Sequence, residues 1–247
     1  VITTALTFFV VSRNWRMPMI WAVSATGFFL AVDVFLFAGC AVKFFDGGWF
    51  PVALGLALFA VMTTWRKGRE VLGEKIHQDG LELKSFVQSL EEHPPHRVQR
   101  TAVFLVSNPQ TVPQALLHNL KHNHVLHEKN IVLTLKFEEI PWVNDQQRIE
   151  IQALSPSFWQ VTARYGFMET PQVPQLLAQC ASHGLTIEEF ETTYFISRET
   201  VVPTHAGALA PWRERLFAAM SQNAGGVVEF FHLPDSAVVE LGTRVQI

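Results

Sequence analysis

The sequence predicts a membrane-spanning helical hairpin followed by a cytoplasmic α/β domain with a mixed sheet. Charged residues make up only 17% of the 247 residues, whereas soluble domains average about 25%. The depletion falls on residues 1–64, which carry five charged side chains: Arg13, Arg16, Asp33, Lys43 and Asp46. The chain has a net charge of −3 and this first part has +1, so residues 65–247 carry −4. From residue 101 onward, strand-like and helix-like segments alternate.

Two apolar stretches are long enough to cross a bilayer, which requires about 20 residues. Residues 18–42 contain a single charge, and the second stretch covers about 47–65 once its flanks are included. Neither stretch has a polar face, which argues against a buried helix pair in a soluble core. Residues 1–11 are too short for a span. We expect them to be the end of a span that begins earlier in a longer protein, and not a secretory signal, since no basic region precedes them.

The distribution of basic residues predicts the orientation of these spans. Arg13 and Arg16 precede the first full span, and Arg66, Lys67 and Arg69 follow the second, whereas the connecting loop has one positive and one negative residue. Positive residues favour the cytoplasmic side. The large C-terminal part is therefore predicted to be cytoplasmic.

Asp33 lies near the middle of the first span, where a carboxylate is costly unless it faces protein, water or a partner. One interpretation is an ion or proton site. The alternatives are a helix–helix hydrogen bond and a shallow position near one end of the span. We expect this residue to be the single intramembrane candidate for ion binding in the chain.

Residues 65–95 are predicted to form an amphipathic helical linker, lying on the membrane surface or docked on the domain, and to end at Pro94-Pro95. Residues 96–247 are predicted to form the cytoplasmic α/β domain. Its expected strands are 101–106, 131–137, 148–154, 159–165, 192–196 and 238–247, and its expected helices are 113–122, 173–183 and 212–223, with a further helical turn or two at 225–231.

The sequence contains few candidates for chemistry. His118 and His122 are spaced i, i+4, so one helical face could present both to zinc, but no glutamate lies between them as a metalloprotease base would require. Phosphate-binding glycine loops and serine nucleophile motifs are absent from the sequence, so we expect no enzyme activity and no cofactor. A pI of about 6.4 gives no overall basic surface for nucleic acid. The two cysteines, Cys40 and Cys180, are too few for a disulfide framework.

Several runs resemble the KUP/HAK/KT family of potassium uptake transporters. They are VPQALLHNLKHN at 112–123, VLHE at 125–128, RYGFME at 164–169, VVELG at 238–242 and DGGWFP at 46–51. The resemblance implies that the chain is the C-terminal fragment of a 12-helix transporter: the end of the tenth membrane helix, then the eleventh and twelfth, then the cytoplasmic domain. The resemblance also implies that the ion sites lie inside two inverted five-helix repeats, and that helices eleven and twelve lie outside those repeats.

The resemblance therefore implies a multi-pass protein of the bacterial inner membrane that carries potassium, with proton co-entry. The ion-binding residues would lie outside this chain, and Asp33 would have a packing or interface role. We expect the domain to regulate the transporter or to form a homodimer. The alternative is a membrane-anchored module that binds a nucleotide or a metal. A membrane-tethered enzyme has the least support.

Overall fold

The computed structural model describes residues 1–15, 18–78, 80–204 and 208–246, and it describes the side chains of all of these except residues 77 and 78. Arg16, one of the basic residues that predict the orientation of the spans, lies outside this range. The chain divides into two compact units, Val1–Thr63 and Thr64–Ile247.

The first unit is helical. Helix α1 (Ile2–Phe9) continues into a π-helical turn at Val10–Asn14, and α2 covers Met19–Val42. A second π-helical turn, at Phe44–Gly48, leads into α3 (Trp49–Gln78). The stretches Met19–Val42 and Phe44–Ile76 are long and apolar enough to cross a membrane, with mean hydropathies of 2.0 and 1.6. Large apolar side chains point outward, and both Ile20 and Phe35 are 79% exposed.

Helix α3 covers the second predicted span, at about 47–65, and the first part of the predicted helical linker, at 65–95. It continues without a break to Gln78. Two glycines, Gly68 and Gly73, lie in the part of the helix that follows the span, and a helix tolerates single glycines at a cost of about 1 kcal/mol each. Gly68 has a packing reason, because a Cβ at this position would lie 2.3 Å from the ring of Phe217.

The second unit adds the remaining elements to the end of α3. The helices are α4 (Leu83–Glu92), α5 (Gln114–Asn123), α6 (Asp145–Arg148), α7 (Val173–Gln179), α8 (Pro211–Gln222) and α9 (Val227–Phe230). The strands are β1 (His96–Leu105), β2 (Val125–Glu138), β3 (Ile149–Ser155), β4 (Phe158–Gly166), β5 (Thr192–Val202) and β6 (Val238–Gln246).

In the described part of the chain these strands form one six-stranded sheet in the order β3-β4-β2-β1-β5-β6. The pairs β1–β2, β1–β5, β2–β4 and β5–β6 are parallel, and β3–β4 is antiparallel, which confirms the predicted mixed sheet. The strands β2, β4 and β3 lie on one side of β1. The chain then returns to place β5 and β6 on the other side of β1. This reversal is the topological switch point of doubly wound α/β folds.

The two faces of the sheet hold two separate cores, because alternate side chains of a strand point to opposite faces. Val103 of β1 packs with α7 on one face, whereas Ala102 and Phe104 pack with α4 and α5 on the other. A third cluster joins the end of α3 to α8 through Leu72 and Phe217. The amphipathic segment α4 is therefore docked on the sheet rather than lying free, because its Leu83 and Val87 are buried there.

Candidate functional site

A cavity of about 400 Å³ lies at the carboxyl end of β1, beside the second half of β2 and the middle of β5, within the second unit. It is at the switch point between β1 and β5, where open α/β sheets bind their ligands. Leu105 and Leu133 form its floor, and Leu72 and Ile76 of α3 and Phe231 contribute apolar walls. A cavity of this size suits a small molecule.

The start of α5 forms one polar side of this cavity. The helix begins after Pro113, so its first backbone N–H groups have no partner within the helix. The hydroxyl of Ser197, on β5, accepts a hydrogen bond from the backbone N–H of Ala115 at 3.2 Å. Since Ser197 and Gln114 both line the cavity, this contact fixes the helix start against the sheet edge.

The loop after β1 forms a second polar side. The side-chain oxygen of Asn108 accepts a hydrogen bond from the N–H of Gln110 at 3.0 Å, which closes a local turn. Backbone hydrogen bonds from Leu83 to Gln110 and from Val112 to Leu81, both 2.9 Å, tie this loop to the chain before α4. Ser107 and Asn108, which line the cavity, therefore lie in a loop that hydrogen bonds attach to the chain before α4.

Arg69 and Glu199 supply the charged groups of the cavity lining. Burial raises the pKa of the Glu199 carboxyl, and the backbone N–H and the nearby Arg69 guanidinium partly oppose this. The cavity thus combines apolar walls, hydroxyl and amide groups, one guanidinium and one carboxyl. This combination can bind a molecule with a flat apolar part and a polar or charged end.

Residues 112–128, which carry much of the family resemblance, are mainly structural. Leu116 and Leu126 are fully buried in the core. The side chain of Asn119 donates to the carbonyl of Val125 at 3.1 Å and accepts from Asn123 at 2.8 Å, so it joins the end of α5 to the start of β2. The ring of His127 lies 5.6 Å from that of Phe195, and burial lowers its pKa.

The candidate zinc ligands His118 and His122 do lie on one face of α5, as their spacing predicted. Their rings stack with centroids 5.7 Å apart. The helix ends at Asn123, and His124 adopts a left-handed conformation. In the described ranges, no group of three or more His, Cys, Asp or Glu side chains is placed to hold a metal ion.

Asp33 accepts a hydrogen bond from the hydroxyl of Thr4, on α1. This is the helix–helix contact that was one of the interpretations of the sequence. The bond lies within the first unit and provides a polar link between α1 and α2.

The turn at residues 165–169 is closed by Glu169. Its carboxylate accepts hydrogen bonds from the backbone N–H of Gly166 at 2.6 Å and of Val143 at 3.1 Å, and it pairs with Arg148 at 2.8 Å. These contacts, led by the Arg148 hydrogen bond, lower the pKa of Glu169. Gly166 is required because a Cβ there would lie 2.2 Å from the carbonyl oxygen of Pro141.

Ser107 and Ser197 lie in no serine nucleophile motif, so the sequence alone did not single them out or connect them with Arg69 or Glu199. The turn after the first strand of an α/β domain is the usual position of a switch-point ligand. That signal could have identified Ser107 and Asn108. The other residues depend on the strand order, which the spacing of the elements does not reveal.

Comparison with known proteins gives consistent results for both units. Residues 99–247 match the family model described as the K+ potassium transporter C-terminal domain, and residues 1–70 match the K+ potassium transporter integral membrane domain. No solved structure matches the chain.

Curated relatives match the whole chain. A protein from Albidiferax ferrireducens described as "Probable potassium transport system protein Kup 2" is 55% identical over 100% of this chain and 39% of its own length. Proteins described as "Probable potassium transport system protein Kup" from Methylibium petroleiphilum and Paracidovorax citrulli are 47% and 46% identical over 100% of this chain, and the match covers 39% and 40% of their lengths. The chain thus spans about two fifths of the length of these relatives, and it belongs to the KUP family of potassium transporters.

Proposed function

We propose that this chain is the C-terminal part of a potassium uptake transporter of the bacterial inner membrane. The observation that carries the proposal is the match of both family models, in order, along one chain. The names of the relatives support potassium as the transported ion. The two apolar helices of the first unit agree with a membrane location.

The proposed mechanism is potassium:proton symport through segments that precede residue 1, with no ion site built by this chain alone. The Thr4–Asp33 contact supports a packing role for the one carboxylate inside a span. We propose a multi-pass topology in which the basic residues flanking the two spans face the cytoplasm, which gives the α/β domain a cytoplasmic location.

Uptake of rubidium, as a potassium tracer, by cells that lack their own potassium uptake systems tests the transport proposal. The intact transporter that contains this chain is expected to restore uptake, and a protonophore is expected to abolish it. Restored uptake that persists with the protonophore would contradict proton coupling. Failure to restore uptake, with normal abundance in the membrane, would contradict potassium transport.

We further propose that the α/β domain regulates the transporter or forms its dimer contact rather than catalysing a reaction. Deletion of residues 93–247 from the intact protein tests this role. It is expected to change rubidium flux, oligomeric state or abundance in the membrane. A matched control is Glu189→Gln, on an exposed acidic turn, which should change none of these. Unchanged flux, oligomer and abundance after the deletion would overturn the proposal.

The switch-point cavity favours a second candidate, in which the domain binds a small ligand. Arg69 in the lining suits a phosphate, and the apolar lining residues suit a base, so a nucleotide fits this cavity better than a bare metal ion. Thermal unfolding of the chain with nucleotides, with zinc and with EDTA tests this candidate. A shift with one nucleotide that is lost in Arg69→Ala would support it. No shift with any of them would exclude these ligands.

A further inference from the structure

Six of the large apolar side chains exposed on the second unit come from the end of β2, the loop after it, the turn after β4 and α9. Each is between 48% and 64% accessible: Phe137, Ile140, Trp142, Phe167, Met168 and Phe230. We call this set the aromatic patch. Exposed apolar side chains are ordinary when scattered, but a contiguous group marks an interaction site. Aromatic residues and methionine are also the types enriched in protein interfaces.

The members of the aromatic patch are close together. The rings of Phe137 and Phe230 have centroids 6.0 Å apart. The backbone N–H of Phe167 donates to the carbonyl of Ile140 at 3.0 Å, and that of Met168 donates to the carbonyl of Pro141 at 3.2 Å. The loop after β2 and the turn after β4 are therefore joined directly, and together they present one surface.

Hydrogen bonds and an ion pair within the chain hold this surface together. The Glu169 carboxylate holds the turn and the loop together through the N–H groups of Gly166 and Val143. Arg148 pairs with Glu169 at 2.8 Å, and its guanidinium lies 5.2 Å from the ring centre of Tyr165. A surface fixed in this way loses little conformational entropy on binding, which favours affinity.

A groove of about 970 Å³ borders the aromatic patch, and its charge is negative. Three carboxylates line it, namely Glu138, Glu139 and Glu150, together with a single guanidinium, Arg164. Arg164 pairs with Glu138 at 3.8 Å and with Glu150 at 3.2 Å. Among the described residues, Glu139 has no hydrogen bond or ion pair, so one carboxylate is available for a partner.

We propose that the aromatic patch and this groove bind a cationic amphipathic segment of a partner protein. The apolar face of such a segment covers the patch, and its lysine or arginine side chains enter the groove. Charge complementarity with the groove selects this partner, and amphipathic helices commonly bind with their apolar face against a hydrophobic surface such as the aromatic patch. An anionic bilayer surface carries the same sign as the groove and is repelled. The proposal rests on this surface alone and does not depend on the transported ion.

The test uses the full chain in nanodiscs of zwitterionic lipid and a labelled amphipathic helical peptide made of lysine and leucine. The groove variant combines Glu139→Gln with Phe167→Ser. The matched control combines Glu189→Gln with Phe190→Ser, which makes the same changes where a phenylalanine is 97% exposed beside other acidic residues. All four positions are exposed, so the fold should be preserved, and thermal unfolding of each variant checks this.

We expect the peptide to bind the wild-type chain and the control variant equally. The groove variant should bind the peptide at least about tenfold more weakly than the wild-type chain, as for residues at an interface centre. When Glu139→Lys replaces Glu139→Gln in this variant, binding should weaken further. The proposal is overturned if the peptide does not bind the wild-type chain, or if both double variants lose binding equally. It is also overturned if the chain instead binds vesicles of anionic lipid. None of these results bears on rubidium uptake, so the proposed transport function is tested separately.

Discussion

The two units of the chain place similar side chains in opposite environments. In the first unit large apolar residues point outward, and Phe35 is 79% exposed. In the second unit Phe104 has no exposed surface and stacks on Phe195 at 4.9 Å. A phenylalanine on α2 is therefore suited to lipid or to a helix partner, whereas one on β1 is suited to a core.

This difference shows that composition alone does not determine what an apolar residue contributes. In the second unit the hydrophobic effect drives folding, at roughly 25 cal/mol per Å² of buried apolar surface. In a bilayer the surroundings are as apolar as the side chains, so helices associate through close packing and polar contacts. The Thr4–Asp33 hydrogen bond is one such contact.

The largest expected effect comes from truncating the same residue type in each unit. Phe104→Ala should lower the free energy of unfolding of the second unit by about 3–5 kcal/mol, because it leaves a cavity between the sheet and its helices. Phe35→Ala should leave that value unchanged. Urea unfolding of the full chain in detergent, followed by circular dichroism, measures both. Equal losses of unfolding free energy in the two variants would show that the two units do not differ in how they use a phenylalanine.

Glu169→Gln should have the next largest effect. It removes the ion pair with Arg148 and weakens the hydrogen bonds that close the turn, at a cost of about 1.5–3 kcal/mol near neutral pH. The pKa of Glu169 is lowered in the folded state, so its stabilisation is present at neutral pH and is lost as the pH falls through that lowered pKa. Unfolding measured between neutral and acidic pH should therefore show the variant and the wild type converging. A constant difference would contradict the ion pair.

Gly166→Ala tests close backbone packing in the second unit against open space in the first. A Cβ at Gly166 would meet the Pro141 carbonyl, so the backbone must shift, at a cost of about 1–3 kcal/mol. Gly27 has no atom within 4 Å of the equivalent position. Gly27→Ala should therefore be neutral or slightly stabilising in the same unfolding measurement, and a loss as large as that of Gly166→Ala would contradict the packing argument.

The smallest expected effect has the opposite sign. Burial raises the pKa of Glu199, so its charged form costs stability at neutral pH, and this cost disappears as the pH falls below the raised pKa. Glu199→Gln should therefore stabilise the second unit at neutral pH, by less than about 1 kcal/mol, and the gain should vanish at acidic pH. Destabilisation at neutral pH would show that the Arg69 contact outweighs burial.

The sequence predicted the existence and type of most elements, because periodicity and capping residues act locally. The helix expected at 113–122 is α5. The helix expected at 173–183 is α7 together with a 3-10 turn at Cys180–His183, and Gly184, which follows it, is in the left-handed conformation. The strands β1, β2 and β5 are several residues longer than expected. Residues expected to lie outside β2 and β5 are paired, since Val125 pairs with His96 and Val202 pairs with Gln246. Their hydrogen bonds come from neighbouring strands, which no local pattern encodes.

The candidate site was less predictable than the fold. The His118–His122 pair was found because i, i+4 spacing is visible in the sequence. Ser107 and Ser197 come together only because β5 inserts beside β1, a consequence of strand order. The exposed position of Phe167 and Met168 was also not predictable, since it depends on Gly166 approaching Pro141 and on Glu169 reaching across to Val143.

The central position of β1 also has a consequence for biosynthesis. One edge of β1 pairs with β2 soon after both are made, but the other edge waits for β5, since Thr101 pairs with Thr192. At about 5–20 residues per second on the ribosome, this edge stays open for several seconds. During that time the nascent chain exposes an apolar strand, so chaperone binding should concentrate there until Thr192–Val202 emerges.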